Sequence, residues 1–107
     1  MSRAGSLRVS VEAVAWITTF VGGSGSGRTL FEEAIAPGET VGDLLKRLSR
    51  RFPELDRALW DASKQGLGAH IEVLVNDVVL GVARALESPL QNGDRITLLG
   101  QFMGGSG

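Results

Sequence analysis

A glycine pair close to the carboxyl terminus, Gly104 and Gly105, is the part of this sequence best suited to chemistry. Residues without a Cβ atom enter narrow channels that other residues cannot, so a strand that runs into glycines offers its own backbone as a thin probe. Terminal Gly and Ser residues are also common as frayed ends or expression-tag remnants. The pair therefore gains meaning only from the segment that leads to it.

That segment contains a Gly93-Asp94 turn and a short apolar strand from Ile96 to Leu99. It resembles the closing segment of the MoaD/ThiS sulfur-carrier family, ubiquitin-like β-grasp proteins with a terminal Gly-Gly. The glycine pair of this chain falls at the spacing that the family would have. The length of the chain and a helix rich in Leu-Leu make the resemblance closer to MoaD than to the shorter ThiS.

Composition limits the classes of function. The 107 residues suit one compact domain, and a net charge of −1 with interspersed acids and bases does not favour binding to nucleic acid or to an anionic membrane. The absence of cysteine excludes thiol catalysis, disulfides and thiolate metal sites. The length of the chain predicts a single domain. Apolar runs are too short to span a bilayer, so we expect a location in the cytoplasm.

Two strands and a glycine-rich connection are predicted near the amino terminus. Apolar and polar residues alternate from Leu7 to Ala13, which is the period of a half-buried strand. The segment Val14 to Val21 is apolar on both parities, so it either continues the strand or folds over the edge of the sheet. Residues 22–27, Gly-Gly-Ser-Gly-Ser-Gly, are expected to form a flexible loop, either natural or engineered. Thr29 to Ala36 supplies a second strand and completes a long hairpin.

An amphipathic helix is predicted after this hairpin. Thr40 is the expected N-cap, and Asp43 completes a capping box. Pro53 should end the helix at about Arg51 or Phe52, because proline disfavours helical geometry in the residue before it. The apolar stripe of the helix consists of Val41, Leu44, Leu45, Leu48 and Phe52.

A short second helix and another strand follow. Apolar residues at Leu55, Leu59 and Trp60 predict the helix. Gly66-Leu67-Gly68 allows a reversal, so we expect the helix to end near Gly66. Alternating β-branched residues from His70 to Val75 predict the strand.

Two turns frame the last predicted strands. Asn76-Asp77 favours a tight turn because both residue types tolerate positive φ, and Val78 to Leu80 returns as a short strand. Asn92-Gly93 starts the terminal strand. A helix that crosses from a hairpin to a parallel terminal strand predicts an α+β, β-grasp (ubiquitin-like) fold, with a mixed sheet of four to five strands and one main helix on one face.

The resemblance to the carrier family extends beyond the terminus. It includes Thr40 to Leu45 at the start of the helix, Arg51 to Leu55 at its end and Val75 to Asp77 before the small hairpin. The resemblance implies that an E1-like partner uses ATP to adenylate the terminal carboxylate of Gly105, and that sulfur transfer then gives a thiocarboxylate. It also implies a carrier with no catalytic residue and no bound cofactor, which donates sulfur to an acceptor enzyme or to the large subunit of a synthase.

The chain departs from the family pattern around the glycine pair. Family members end on the second glycine, whereas Ser106 and Gly107 follow here. The resemblance therefore implies either a precursor whose last two residues a metalloprotease removes or a chain with added terminal residues. Residues 100–103 replace the apolar or proline residues of the family, and residues 102–107 are expected to form a flexible tail. Phe102 and Met103 either dock the E1-like partner or fold back on the sheet.

Other candidate sites are weaker. His70 is the only histidine, and a lone histidine beside a strand is more typical of a structural residue than of a metal ligand, so no metal site is expected. Residues 22–27 lack the Lys-Ser/Thr ending of a phosphate-binding loop, which argues against nucleotide binding there. The basic side of the helix is interpreted as a solvated face, with partner docking as the alternative; it consists of Lys46, Arg47, Arg50 and Arg51.

Three functions fit these patterns. The first is a sulfur carrier for molybdopterin, thiamine or a related metabolite, for example as the small subunit of molybdopterin synthase. The second is a ubiquitin-like modifier joined through Gly105 to protein lysines. The third is a β-grasp interaction module whose tail has no chemical role.

Overall fold

The computed structural model describes residues 7–60, 66–68 and 70–100. The elements within these residues are β1 (Leu7–Val14), a 3-10 helix (Ala15–Val21), β2 (Arg28–Ile35), α1 (Val41–Arg51), α2 (Pro53–Leu59), β3 (Ile71–Val75), β4 (Val78–Val79) and β5 (Arg95–Gly100). The strands form one mixed sheet in the order β2-β1-β5-β3-β4. The predicted β-grasp fold is confirmed.

The terminal strand β5 lies in the middle of the sheet. It pairs in parallel with β1 and antiparallel with β3, so hydrogen bonds hold it on both sides. The alternation expected for β1 is confirmed, because Val9, Val11 and Ala13 are buried while the residues between them are not. Period-two burial of this kind sets the register, since a slip of one residue would turn the apolar side chains to solvent.

The small hairpin before β5 also follows its prediction. Asn76 and Asp77 have φ angles of 53° and 72°, the left-handed values that the turn requires. Val78 pairs with Val75 across this turn. The returning strand is shorter than expected: it ends at Val79 and does not include Leu80.

Helix α1 begins with the predicted capping box. The Thr40 hydroxyl accepts a hydrogen bond from the Asp43 N–H at 3.0 Å, and the Asp43 carboxylate accepts one from the Thr40 N–H at 3.2 Å. These bonds satisfy backbone donors that a helix start otherwise leaves unpaired. They also lower the pKa of Asp43, with a smaller contribution from Lys46. The helix ends at Arg51, as the following Phe52-Pro53 predicted.

The core lies between α1 and the sheet. Leu44, Leu45 and Leu48 on the helix are fully buried, and so are Ile96 and Leu98 on β5. Each such side chain contributes about 1.5–3 kcal/mol relative to an exposed position. Burial on this face therefore fixes β5 beneath the helix and leaves its opposite face outside the core.

The second helix ends earlier than predicted. It stops at Leu59 rather than near Gly66, because Trp60 takes an extended conformation and bridges Leu67. The Trp60 indole is buried, and its Nε1–H donates to the Ser49 hydroxyl at 2.8 Å. A buried indole needs such a partner. This contact with α1 turns the chain out of the helix, which apolar spacing alone could not reveal.

The basic side of α1 is only partly the solvated face that the pattern predicted. Lys46 and Arg50 are exposed. Arg47, however, donates to Glu39 at 2.7 Å and to the Ala34 carbonyl at 2.8 Å. A second ion pair joins Arg51 to Glu33, a buried carboxylate on β2. These arginines bind the helix to the strand because Glu33 points inward, a direction that the helical pattern does not encode.

We predict that Thr40→Ala lowers the free energy of unfolding by about 1 kcal/mol, since the substitution removes the acceptor for the Asp43 N–H. Urea denaturation measures this change. Arg50→Ala is the control, because Arg50 is exposed on the same helix and alanine favours helix. Equal stability of Thr40→Ala and Arg50→Ala would contradict the assigned role of the cap.

Candidate functional site

The candidate site is the end of β5, from which the chain continues to the glycine pair. Gly100 is the last residue that the structure describes. The predicted terminus Gly104 and Gly105, the predicted docking residues Phe102 and Met103, and the predicted processed residues Ser106 and Gly107 all lie outside the described residues. Their roles therefore stay predictions. What the structure describes is the platform that carries them.

The start of β5 is anchored by a buried carboxylate, Asp94, which is only 4% exposed. It accepts hydrogen bonds from the Arg84 guanidinium at 2.9 Å, the Gln91 N–H at 2.8 Å and the Asn76 amide at 3.0 Å. Its own carbonyl accepts from the Ser10 N–H on β1 at 2.9 Å. One residue thus ties the strand to the small hairpin, to the preceding loop and to β1.

These contacts decide the charge state of Asp94. Burial by itself raises the pKa of the carboxyl, but the hydrogen bonds from Arg84, Gln91 and Asn76 together lower it more, and the net pKa falls below the ordinary value of 3.8. Asp94 is therefore ionised at neutral pH. The same contact raises the pKa of Arg84, so that this partly buried pair stays charged.

The far end of β5 is covered by Trp16. Gly100 pairs with Ile71 on β3, and the Trp16 indole lies where a side chain of residue 100 would project. A Cβ atom at Gly100 would lie 2.5 Å from Trp16 Nε1, which is closer than real Cβ contacts come. Only glycine fits beneath this ring. Sequence reasoning placed Trp16 in an apolar segment but gave no signal for this contact.

The 3-10 helix brings Trp16 to this position and resolves the alternatives for residues 14–21. The strand β1 ends at Val14, opposite Leu99 in the parallel register. Ala15 then has a φ of 66°, which turns the chain out of the sheet. The segment therefore folds over the end of the sheet, where Trp16 and Phe20 make an edge-to-face contact with ring centroids 5.6 Å apart.

The glycine-rich residues 22–27 close around Thr18. The Thr18 carbonyl accepts from the Gly23 N–H at 2.6 Å, and its hydroxyl accepts from the Gly25 N–H at 2.7 Å. A Cβ atom at Gly23 would lie 2.3 Å from the Thr29 hydroxyl, so the close approach requires glycine. The expected flexibility of this loop stays a prediction. Its backbone donors serve Thr18 rather than a phosphate.

The face of the sheet opposite α1 carries apolar side chains among ion pairs. Leu30 is 64% exposed and Leu99 is 37% exposed. Across the strands, Leu30 stands opposite Glu12, which forms an ion pair with Arg28 at 2.7 Å. This arrangement offers a partner a surface that is partly apolar and overall balanced in charge.

The described residues supply no group of three or more His, Asp or Glu side chains that could hold a metal ion. His70 is exposed and directly precedes Ile71, the partner of Gly100, so it stands at the same end of the sheet. None of the helices in the described part of the chain is both long and apolar enough to cross a membrane.

A family comparison agrees with this geometry. The model of the ThiS family matches residues 25–105, from the hairpin through both helices and β5 to the second glycine of the pair. The chain belongs to the ThiS family. The resemblance to the MoaD/ThiS group of ubiquitin-like sulfur carriers and modifiers is thereby confirmed.

Solved structures share the fold of this ThiS-family chain. It is similar to SAMP1 from Haloferax volcanii, with 24% identity, a TM-score of 0.70 and coverage of 92% of this chain and 99% of that chain. It is also similar to Urm1 from Trypanosoma brucei, with 21% identity, a TM-score of 0.70 and coverage of 98% and 100%. It is similar as well to a chain of the Amycolatopsis orientalis BexX/CysO complex, with 26% identity, a TM-score of 0.65 and coverage of 91% of this chain and 99% of that chain. Comparison with curated protein sequences gives no match.

We predict that Asp94→Asn lowers the free energy of unfolding at pH 7 by about 2 kcal/mol, because the change leaves the Arg84 charge unpaired. The lowered pKa means that the Asp94 charge stabilises the fold above about pH 4 and loses this effect as pH falls through the folded-state value. The difference between wild type and variant should therefore shrink below pH 4.

Urea denaturation at a series of pH values measures this difference. Asp77→Asn is the matched control, since Asp77 pairs with Arg95 in solvent with its side chain 69% exposed. A constant difference between wild type and Asp94→Asn from pH 7 to pH 2 would exclude the assigned linkage.

Proposed function

We propose that this protein is a sulfur carrier whose working group is the main-chain carboxylate of Gly105. The observation that carries the proposal is the match to the ThiS family, which runs through the central strand and stops at Gly105. The position of β5 adds support, because a strand paired on both sides gives the terminus a fixed base. The protein supplies the carboxylate and the scaffold, and its partners supply the catalysis.

The proposed chemistry solves a leaving-group problem. A carboxylate is a poor acyl donor because oxide would have to leave. In the first step a Gly105 carboxylate oxygen attacks the α-phosphorus of ATP on an E1-like partner, and pyrophosphate leaves. In the second step hydrosulfide attacks the acyl carbon, AMP leaves, and the new thioacid loses its proton. The product is a thiocarboxylate, which can pass its sulfur to an acceptor.

Glycine at both terminal positions suits the first step. Nucleotide and acyl carbon must meet inside the partner, so the terminus has to pass through a narrow channel, and each missing Cβ removes a steric obstacle. Phe102 and Met103 would lie at the mouth of this channel and dock the partner there. The apolar and ionic face around Leu99 and Leu30 offers a further contact surface.

The glycine pair is not the end of this sequence. Ser106 and Gly107 follow Gly105, so Gly105 has no free carboxylate in the full chain. We propose that a metalloprotease hydrolyses the Gly105-Ser106 peptide bond and that water supplies the new carboxylate oxygen. The uncut chain is then an inactive precursor.

The proposed partners are an E1-like adenylating enzyme, the clipping protease and a sulfur-accepting enzyme in the cytoplasm. A fold neighbour of this chain is known in a BexX/CysO complex, which supports assembly with a partner protein in general. Among acceptors, a synthase large subunit for molybdopterin and an enzyme of thiamine synthesis are the first to test.

Intact mass spectrometry tests the function. The chain ending at Gly105 is incubated with an E1-like enzyme from the same organism, ATP and a sulfide source. A mass gain equal to one oxygen-to-sulfur exchange is the expected result, and the uncut chain should show none. Isopeptide adducts of higher mass would instead indicate a protein modifier. An unchanged mass of the trimmed chain would favour a β-grasp interaction module and contradict the proposal.

We predict that Gly105→Ala in the trimmed chain abolishes adenylation and leaves the fold intact, because the added methyl group blocks threading. ATP–pyrophosphate exchange measures adenylation, and thermal unfolding of the same sample measures the fold. Ser26→Ala is the control, since Ser26 is exposed in the glycine-rich loop. Wild-type exchange rates for Gly105→Ala would refute the threading argument.

A further inference from the structure

The contact between Trp16 and Gly100 depends on the absence of a side chain at position 100. The indole occupies the space that a side chain at position 100 would need, since a Cβ there would lie 2.5 Å from Nε1 and 2.7 Å from Cε2. Trp16 itself is only partly buried. The ring therefore covers backbone at the very residue where the described sheet ends.

The ring is held in place by the element that carries it. Neighbouring residues Ile17 and Thr18 are fully buried, and the Thr18 hydroxyl donates to the Ala15 carbonyl at 2.8 Å. The Ala15 N–H in turn donates to the Gly27 carbonyl at 2.9 Å. The Phe20 ring contacts the indole edge-to-face, with an angle of 79° between the two ring planes. With both neighbours of the ring fixed, its position over Gly100 is defined by the fold.

The location of this contact links it to the terminus. Leu98 is the last residue of β5 with a fully buried side chain, because Leu99 faces the opposite side of the sheet and Gly100 has no side chain. Past Leu98, strand pairing holds Leu99 to Val14 and Glu72 and holds Gly100 to Ile71, and the Trp16 ring lies against Gly100. Residues 101–105 then span at most about 17 Å when extended. The ring thus marks the point from which the segment that bears the carboxylate leaves the sheet.

We propose that Trp16 is a positioning residue for activation of the terminus. Its indole clamps Gly100 and fixes the point and direction from which residues 101–105 enter the partner. This inference rests on the sulfur-carrier function proposed above. Without the ring, Gly100 loses its cover and keeps its pairing with Ile71 on one side, so the carboxylate starts from a less directed segment. Misplacement of a reacting group by about 1 Å can cost up to a hundredfold in rate.

A binding-independent measurement tests the clamp first. In the trimmed chain, the backbone order parameter of Gly100, measured by ¹⁵N relaxation, should be about 0.85 in wild type and fall below about 0.6 in Trp16→Ala. The amides of α1 should not change. Trp60→Phe is the control, because it alters the other tryptophan, whose indole binds Ser49 on α1. An unchanged order parameter at Gly100 would overturn the proposal whether or not the chain carries sulfur.

A double-mutant cycle isolates the contact. Gly100→Ala should expel the ring and reproduce the order parameter of Trp16→Ala, whereas the same change in the Trp16→Ala background should have little further effect, since no ring remains to collide with the Cβ. Additive effects of the two substitutions would show that the ring and Gly100 act separately, which would overturn the clamp.

The kinetic test separates positioning from stability. With the E1-like enzyme saturated in ATP, Trp16→Ala should lower kcat for adenylation about tenfold and change KM for the carrier less, because the contact surface around Leu30 remains. Trp16→Phe should recover part of kcat. If wild type is adenylated and Trp16→Ala keeps the wild-type kcat, the positioning role is wrong. If wild type is not adenylated, the proposed function fails, while the relaxation and cycle measurements still decide the clamp.

Discussion

The central pairing of β5 is the constraint on which the rest of the structure depends. A terminal strand at a sheet edge is easily peeled away, whereas β5 is bonded to β1 and β3 and buried beneath α1 at Ile96 and Leu98. The Asp94 contacts fix one end, and the Trp16 ring covers the other. The last strand that the structure describes is thereby part of a rigid sheet as far as Gly100.

Much of the fold could be predicted from the sequence because its signals are local. The Thr40-Asp43 capping box and the Asn76-Asp77 turn each depend on residues that are close together in the sequence. Alternation in β1 depends only on which face is buried. Such features need no knowledge of distant segments, and the β-grasp order followed from them once the helix and the terminal strand were recognised.

Features that depend on partners distant in sequence could not be predicted. The helical pattern predicts that Arg51 is solvated, but the register of β2 turns Glu33 towards it and the two form an ion pair. The sequence places Trp16 in an apolar segment with two possible courses, and only the parallel register of β1 and β5 shows that Gly100 lies beneath it. For the candidate site, sequence reasoning found the segment and the family, and it missed the ring that covers the strand end. The glycine pair itself stays a prediction from sequence.

The arginine contact on β2 affects how copies of this protein meet. β2 is an outermost strand, and exposed main-chain groups on such strands invite intermolecular pairing. The Ala34 carbonyl already accepts a bond from Arg47, whose charge is balanced by Glu39. A second molecule could extend the sheet through this position only by displacing that guanidinium. The ion pair in this way protects the protein against polymerising along its own outermost strand.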